Sequence, residues 1–121
     1  MKDIFKSSNP SLDSRILRAV AKLGFYEPTL VQETAIPLAL EGKDILARAR
    51  TGSGKTAAFL IPTIQKILSK SCSESKIQAL ILVPTRELAA QVNQHIKELT
   101  IYCKEVTSIN IAIDVSIQSQ L

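Results

Sequence analysis

A glycine-containing loop, ARTGSGKT at residues 49–56, limits the folds open to this sequence because the segments on its two sides differ in periodicity. Residues 44–49, DILARA, have the composition of a short strand. Residues 54–68 carry leucine or isoleucine at every fourth position from Leu60 onward, which is the spacing of a helix. A strand, a tight turn and a helix in this order favour a parallel α/β sheet covered by helices.

The loop itself has the pattern of a Walker-type phosphate loop, with Ala49 where the usual pattern has its first glycine. Glycines leave room for successive backbone N–H groups to converge on a polyphosphate, and the following helix adds free N–H donors. We expect Lys55 to reach the β- and γ-phosphates and the Thr56 hydroxyl to ligate Mg²⁺. A plain glycine turn beside an exposed lysine is the alternative. The residues expected to bind the nucleotide here are Arg50, Thr51, Gly52, Ser53, Gly54, Lys55 and Thr56.

Three further helices are predicted from apolar spacing. The first covers residues 11–23, with Ser11 or Asp13 as its cap and Gly24 as its left-handed end. The second covers residues 29–40, and Pro37 inside it predicts a kink or two short helices. The last follows Thr85 and places four apolar residues on one face: Leu88, Val92, Ile96 and Leu99.

Two more strands are predicted. Residues 79–83, ALILV, form a continuous apolar run typical of the middle of a parallel sheet. Residues 109–117 alternate isoleucine or valine with polar or small residues, which predicts a strand with one face in water. Residues 70–76 are a polar loop.

The composition excludes a disordered tail, a collagen-like repeat and a low-complexity linker. The 121 residues are 45% hydrophobic and 21% charged, so one globular domain with a core is expected. A net charge of +4 is compatible with nucleic acid. No secretory signal and no membrane-spanning run is visible. The single histidine, His95, is expected to be surface filler, and no zinc site can be assembled. Cys72 and Cys103 are expected to be reduced, with a disulfide as the alternative.

Three motifs resemble those of the DEAD-box RNA helicases. Residues 24–32, GFYEPTLVQ, followed by Ile36 and Pro37, resemble the Q motif; residues 49–56 resemble motif I. Residues 84–91, PTRELAAQ, resemble motif Ia, and the resemblance covers about residues 5 to 105. Residues 1–121 are therefore interpreted as part of a RecA-like ATP-binding domain, an incomplete P-loop sandwich from the first lobe of a helicase.

The resemblance implies roles for residues outside the phosphate loop. The Gln32 carboxamide would pair with adenine and select ATP over GTP, and Phe5 would stack on the adenine ring. Pro84, Thr85 and Arg86 would grip the backbone of single-stranded RNA without reading its sequence. A helix start capped by Thr85 is compatible with that role. Phe25 is expected to lie in the core, with contact to the ligand as the alternative.

The resemblance also shows which family motifs this chain lacks: the D-E-A-D element, the S-A-T element, the double-glycine RNA element and the second lobe. We expect an N-terminal portion of an ATP-dependent RNA helicase that is inactive in isolation. The sequence is most similar to a nucleolar branch acting in large ribosomal subunit assembly, which implies pre-ribosomal partners and a nuclear or nucleolar location. A truncated, non-enzymatic nucleotide- or partner-binding module is the alternative. A small-molecule kinase would leave the Q motif unexplained.

Overall fold

Four helices form the framework of the protein, as seen in a computed structural model that describes residues 12–25, 27–50, 52, 54–70 and 76–112. They are α1 (Ser14–Lys22), α2 (Leu30–Leu40), α3 (Lys55–Ser69) and α4 (Arg86–Leu99). Helix α3 lies at the centre: it packs most extensively against α2 and also contacts α4, which in turn contacts α1. The predicted helices are confirmed to within a few residues at each end.

The ends of these helices follow from their local sequence. Asp13 caps α1 by accepting a hydrogen bond from the backbone N–H of Arg15 at 2.9 Å. Gly24, with φ of 79°, ends that segment in the left-handed region, as predicted. Pro37 lies inside α2 and Pro62 inside α3, and each helix nevertheless continues as one element. Of the two expectations at Pro37, two short helices is therefore wrong, whereas a kink stays a prediction.

The core is formed where α1, α3 and α4 meet. Its largest fully buried side chains are Ile16, Leu60, Ile61, Leu99 and Cys103. The stripe predicted for the last helix is confirmed, because Val92 and Leu99 are buried and Leu88 and Ile96 pack against the same cluster. Cys103 is a free thiol, and burial raises its pKa. Cys72 lies outside the described residues.

None of the predicted strands is present as a strand among the described residues. Residues 44–49 and 79–83 are non-helical, and no described backbone hydrogen bond joins them into a ladder, which is what defines a sheet. The second segment keeps the alternation of a strand, with Ile81 and Val83 against the core and Leu80 and Leu82 outside. The continuous apolar run of residues 79–83 predicts burial on both faces of the segment, whereas only the face of Ile81 and Val83 is covered.

The two remaining predictions concern the end of the chain and its loop. The described part of the 109–117 segment ends in a turn at Ile111 and Ala112, so that strand is not confirmed. Its residues beyond 112 lie outside the described part, as do 71–75 of the polar loop and Ser11. No helix in the described ranges is long and apolar enough to cross a membrane.

An ion-paired cluster ties α1 to the segment after α4. The Arg15 guanidinium contacts Asp13 at 3.0 Å and also pairs with Glu105. The hydrogen bond from Arg15 lowers the pKa of Asp13. The pKa of Glu105 is lowered by its own backbone N–H and then by Arg15. The backbone N–H of Asp13 donates to Gln65 Oε1 at 2.6 Å, so the same cluster also holds α3.

Candidate functional site

The start of α3 differs from the start of every other described helix. Asp13, Thr29 and Thr85 cap α1, α2 and α4 with side-chain oxygens. Helix α3 begins instead at Gly54, a glycine in the left-handed region with φ of 81°, and no described side chain caps it. The backbone N–H groups of its first turn are therefore available to an anion, and the helix dipole favours negative charge there.

Gln32 links the start of α2 to this loop. The Oε1 of Gln32 accepts from the backbone N–H of Thr29 at 3.0 Å. The backbone N–H of Gln32 in turn donates to Thr29 Oγ1 at 3.4 Å. This reciprocal pair is a capping box. Its Nε2 donates to the carbonyl oxygen of Gly54 at 3.2 Å. The side chain is only 4% exposed, so both ends of the carboxamide are held in place.

The close approach of Gln32 requires a glycine at position 54. A Cβ placed there would lie 2.5 Å from Gln32 Nε2 and 3.0 Å from Thr29 Oγ1. Gly52 also has a positive φ, 82°, but a Cβ on it would meet nothing within 4 Å. The two loop glycines thus have different reasons to be glycine: both need the left-handed backbone, and Gly54 also needs the space.

One open pocket of about 1080 Å³ is lined by residues from both the Q motif and motif I. Phe25 borders the same pocket and is 36% exposed, so the expectation that it lies in the core is wrong. An aromatic residue at the rim of an open pocket loses its neighbours on one side. The polar residues and glycines of the two motifs that line the pocket are Glu27, Thr29, Gln32, Gly52, Gly54, Lys55 and Thr56.

Other predicted nucleotide ligands are not brought into the pocket or are not described. Arg50 is exposed and does not contribute to the pocket lining. Phe5, Thr51 and Ser53 lie outside the described residues. Lys55 occupies the first position of α3 with an exposed side chain, and Thr56 is half-buried beside it.

The predicted RNA-binding residues lie at the start of α4, between Val83 and Leu88, which line the pocket. Thr85 Oγ1 accepts from the backbone N–H of Leu88 at 3.1 Å, so the expected cap is present. Glu87 complements the dipole in the first turn. Pro84, Thr85 and Arg86 are all exposed, and none of them lines the pocket. His95, further along α4, is exposed, with its Nδ1 at 3.6 Å from Glu98, and it also lines the pocket.

Thr29 is the site residue that sequence reasoning missed. It anchors the capping box and approaches the position of a Cβ on Gly54. The signal was available, because threonine followed three residues later by glutamine, before an apolar run, is the capping-box pattern. The Gln32–Gly54 hydrogen bond had no such signal, since the two residues are 22 positions apart.

Comparison with known proteins gives the same family from sequence. The family described as DEAD/DEAH box helicase matches residues 29–120. ATP-dependent RNA helicase DBP9 of Meyerozyma guilliermondii is 56% identical over 114 residues, covering 93% of this chain and 20% of the relative. The protein named probable ATP-dependent RNA helicase ddx56, from Dictyostelium discoideum, is 57% identical over 100 residues, 81% of this chain and 15% of its own length. The chain thus spans about a fifth of the length of these curated relatives.

Comparison with solved structures indicates the same family. The crystal structure of the RNA helicase Prp28 from Chaetomium thermophilum bound to ADP has a TM-score of 0.83 and 37% identity, covering 95% of this chain and 28% of that one. A DEAD box protein from Methanococcus jannaschii has a TM-score of 0.65 and 47% identity, covering 73% of this chain and 23% of that one. These likenesses confirm the predicted α/β fold class, although no strand is formed in the described residues. With its Gly54 loop, its capping-box glutamine and this similarity, the chain belongs to the DEAD/DEAH box helicase family.

Proposed function

We propose that this chain is the N-terminal portion of an ATP-dependent RNA helicase and that it binds both nucleotide and RNA. The observation that carries the proposal is the uncapped start of α3, which adjoins Lys55 and opens into the pocket shared with the Q motif. A free first turn, a left-handed glycine and a lysine suit a polyphosphate, because each supplies an N–H donor or positive charge. The ADP held by the Chaetomium helicase supports an adenine nucleotide as the ligand.

Each site residue has a proposed task. The backbone N–H groups from residue 51 to 56 would bind the phosphates, with Arg50 and Ser53 at the same loop. The Lys55 ammonium would neutralise the β- and γ-phosphates. The Thr56 hydroxyl oxygen is a suitable ligand for Mg²⁺, which supplies charge neutralisation when bound with ATP. Phe5 would stack on adenine.

Gln32 is proposed to recognise adenine while it holds the loop. A carboxamide has two N–H hydrogens and two oxygen lone pairs, and the chain uses one of each. One donor and one acceptor remain, which match the N7 and the N6 amino group of adenine and mismatch guanine.

RNA is proposed to bind at the start of α4. The exposed Arg86 guanidinium and the Thr85 hydroxyl are donors suited to phosphate oxygens, and such contacts carry no base information. The cap that Thr85 provides uses its oxygen as an acceptor, so its O–H hydrogen remains free to donate.

The cellular role is proposed to lie in ribosome biogenesis, with pre-ribosomal particles as partners and the nucleus or nucleolus as location. The support is the identity of more than half to relatives named DBP9 and ddx56. RNA unwinding or remodelling by the whole protein would use ATP binding to hold one strand.

Calorimetric titration of ADP and ATP with Mg²⁺ tests the proposed site. Lys55→Ala should weaken binding by at least about tenfold, because a hydrogen bond to a charged group contributes about 1.5–3 kcal/mol. Lys70→Ala at the opposite end of α3 is the matched control and should bind as the unaltered chain does. Equal affinities for the Lys55→Ala variant and the unaltered chain would refute the proposed phosphate cradle.

A further inference from the structure

Two cations on α1 are held against one aromatic ring. The guanidinium carbon of Arg18 lies 4.2 Å from the centroid of the Tyr102 ring, and Lys22 Nζ lies 5.9 Å from it. Residues 18 and 22 are four apart on the helix and therefore share a face. Both are exposed, whereas Tyr102 is half-buried after the end of α4. The cation–π contacts restrict the two charged groups to one surface position.

The charges at this position are not neutralised within the described part of the chain. Arg15, one turn earlier on α1, pairs with both Asp13 and Glu105. No described carboxylate pairs with Arg18 or Lys22. Two like charges four residues apart repel each other, so an anion that contacts both would relieve this repulsion.

The chemistry of the surface suits a phosphate backbone. A guanidinium that lies on a ring keeps its in-plane N–H donors free, and those donors match phosphate oxygens in a bidentate geometry. The ammonium of Lys22 adds a second point charge. The family of the chain and its net charge of +4 favour a nucleic-acid strand over an acidic peptide as the occupant.

We propose that Arg18, Lys22 and Tyr102 form a second contact surface for the RNA backbone, separate from Thr85 and Arg86. The inference rests on the proposed function, because it presumes that the chain binds single-stranded RNA. Helix α4 separates the two surfaces: Arg86 is its first residue, and Tyr102 follows its last residue, Leu99. Its length is about 20 Å, from the 1.5 Å rise per residue. A strand of about six or more nucleotides would be needed to reach both surfaces, at roughly 3.4 Å per phosphate.

Fluorescence anisotropy with a labelled 12-nucleotide oligouridine, titrated from 50 to 200 mM KCl, tests the inference. The double variant Arg18→Gln, Lys22→Gln should bind about tenfold more weakly at the lowest salt. Its log–log salt slope should be smaller by about 1.4, since each phosphate contact in a single strand contributes about 0.7. The matched control Lys43→Gln, Lys70→Gln loses the same charge from exposed lysines on other segments and should keep the original slope.

Two further variants separate the role of the ring from the role of charge. Tyr102→Phe keeps the ring face and should bind RNA as the unaltered chain does, whereas Tyr102→Leu should lower the affinity toward that of the double variant. Circular dichroism and urea midpoints establish that each variant is folded. A salt slope in the double variant equal to that of the control would overturn the proposal. So would displacement of the RNA by polyglutamate at equal charge, since an acidic peptide would then be the better occupant.

Arg86→Gln, measured in parallel, distinguishes this inference from the proposed function. If Arg86→Gln has no effect while the double variant loses affinity, the second surface is supported and the RNA site proposed at the start of α4 fails. If Arg86→Gln alone loses affinity, the second surface is refuted. A chain that binds no oligouridine at all contradicts both.

Discussion

At the scale of single residues, Gln32 combines a structural role with the proposed role of recognising adenine. The capping box uses its oxygen and the bond to Gly54 uses its nitrogen, so the residue is already fixed before any base arrives. Fixing it in this way has an advantage, because an amide that is already oriented loses little entropy when it pairs with adenine. The same bonds mean that Gln32, the residue proposed to recognise adenine, also contributes to stability.

Gln32→Glu separates the two tasks. The variant keeps an oxygen that can accept from Thr29 but loses the donor to Gly54 and to adenine N7. We expect ATP affinity to fall about tenfold and the preference over GTP to disappear, because one hydrogen bond to the base is lost. Calorimetry with ATP and GTP measures both quantities. Thr29→Ala, which removes the cap oxygen but no base contact, should cost about 1 kcal/mol of stability and leave the preference unchanged.

Gly54 allows backbone strain to be separated from lack of space. Gly54→Ala and Gly42→Ala both place a Cβ at a positive φ, 81° and 85°. The left-handed backbone costs a side chain about 1–2 kcal/mol in either variant. Only at position 54 does the new atom also meet Gln32, at 2.5 Å, whereas nothing lies within 4 Å at position 42.

We therefore expect Gly54→Ala to be the more destabilised of the two by at least about 1 kcal/mol, and to lose nucleotide binding. Urea unfolding measures the first quantity and calorimetry the second. Equal unfolding free energies for the two variants would show that Gln32 moves aside at no cost.

At the scale of elements, the start of α1 is held by three separate parts of the chain. Asp13 caps the helix, its backbone N–H donates to Gln65 on α3, and Arg15 reaches Glu105 after α4. The contacts are polar and lie next in sequence to Ile16, which is fully buried in the core. Removal of Arg15 would break its ion pairs with both Asp13 and Glu105.

The stability supplied by this cluster should depend on pH. The pKa values of Asp13 and Glu105 are lowered in the folded chain, so the folded state binds fewer protons than the unfolded state near pH 4. Their contribution is present above the ordinary carboxyl pKa values and is lost as the pH falls through the lowered ones. The difference in urea midpoint between the unaltered chain and Arg15→Gln should therefore shrink between about pH 5 and pH 2.

Arg18→Gln is the control for this measurement. It removes a charge of the same kind one turn away, where no described carboxylate is paired with the guanidinium. Its midpoint difference from the unaltered chain should be small and change little over the same pH range. A pH-independent difference for Arg15→Gln would mean that the guanidinium stabilises α1 by packing and not by ion pairing.

Sequence patterns predicted the helices well and the strands poorly, and the reason is physical. A helix makes its hydrogen bonds within its own segment, so spacing and caps such as Asp13 and Gly24 are sufficient evidence. A strand needs a neighbour, and residues 44–49 could not reveal whether one was present. The glycine loop was likewise readable from local sequence. The Gln32–Gly54 bond joins residues 22 apart and depends on how α2 packs against α3, which no local pattern contains.

At the scale of the whole molecule, the described part of the chain exposes large apolar side chains on two non-helical segments, residues 44–50 and 76–83. Leu46, Ile77, Leu80 and Leu82 are 103%, 90%, 75% and 85% exposed, while Ile81 and Val83 face the core. Apolar residues exposed together on a non-helical segment favour association between molecules, because their backbone groups and side chains lack partners there. We therefore expect the 121-residue chain to self-associate in solution.

Substitutions on the two faces of the 76–83 segment should have different effects. Leu82→Lys places a charge on the exposed face, so it should reduce self-association of the 121-residue chain while its unfolding free energy stays within about 0.5 kcal/mol of the original. Ile81→Lys places the same charge against the core and should destabilise the fold by at least about 2 kcal/mol. Sedimentation velocity over a hundredfold range of concentration, with urea unfolding alongside, measures both. An unaltered chain that remains monomeric across this range would show that the exposed face does not drive association, and equal destabilisation by the two variants would show that Leu82 is covered in solution.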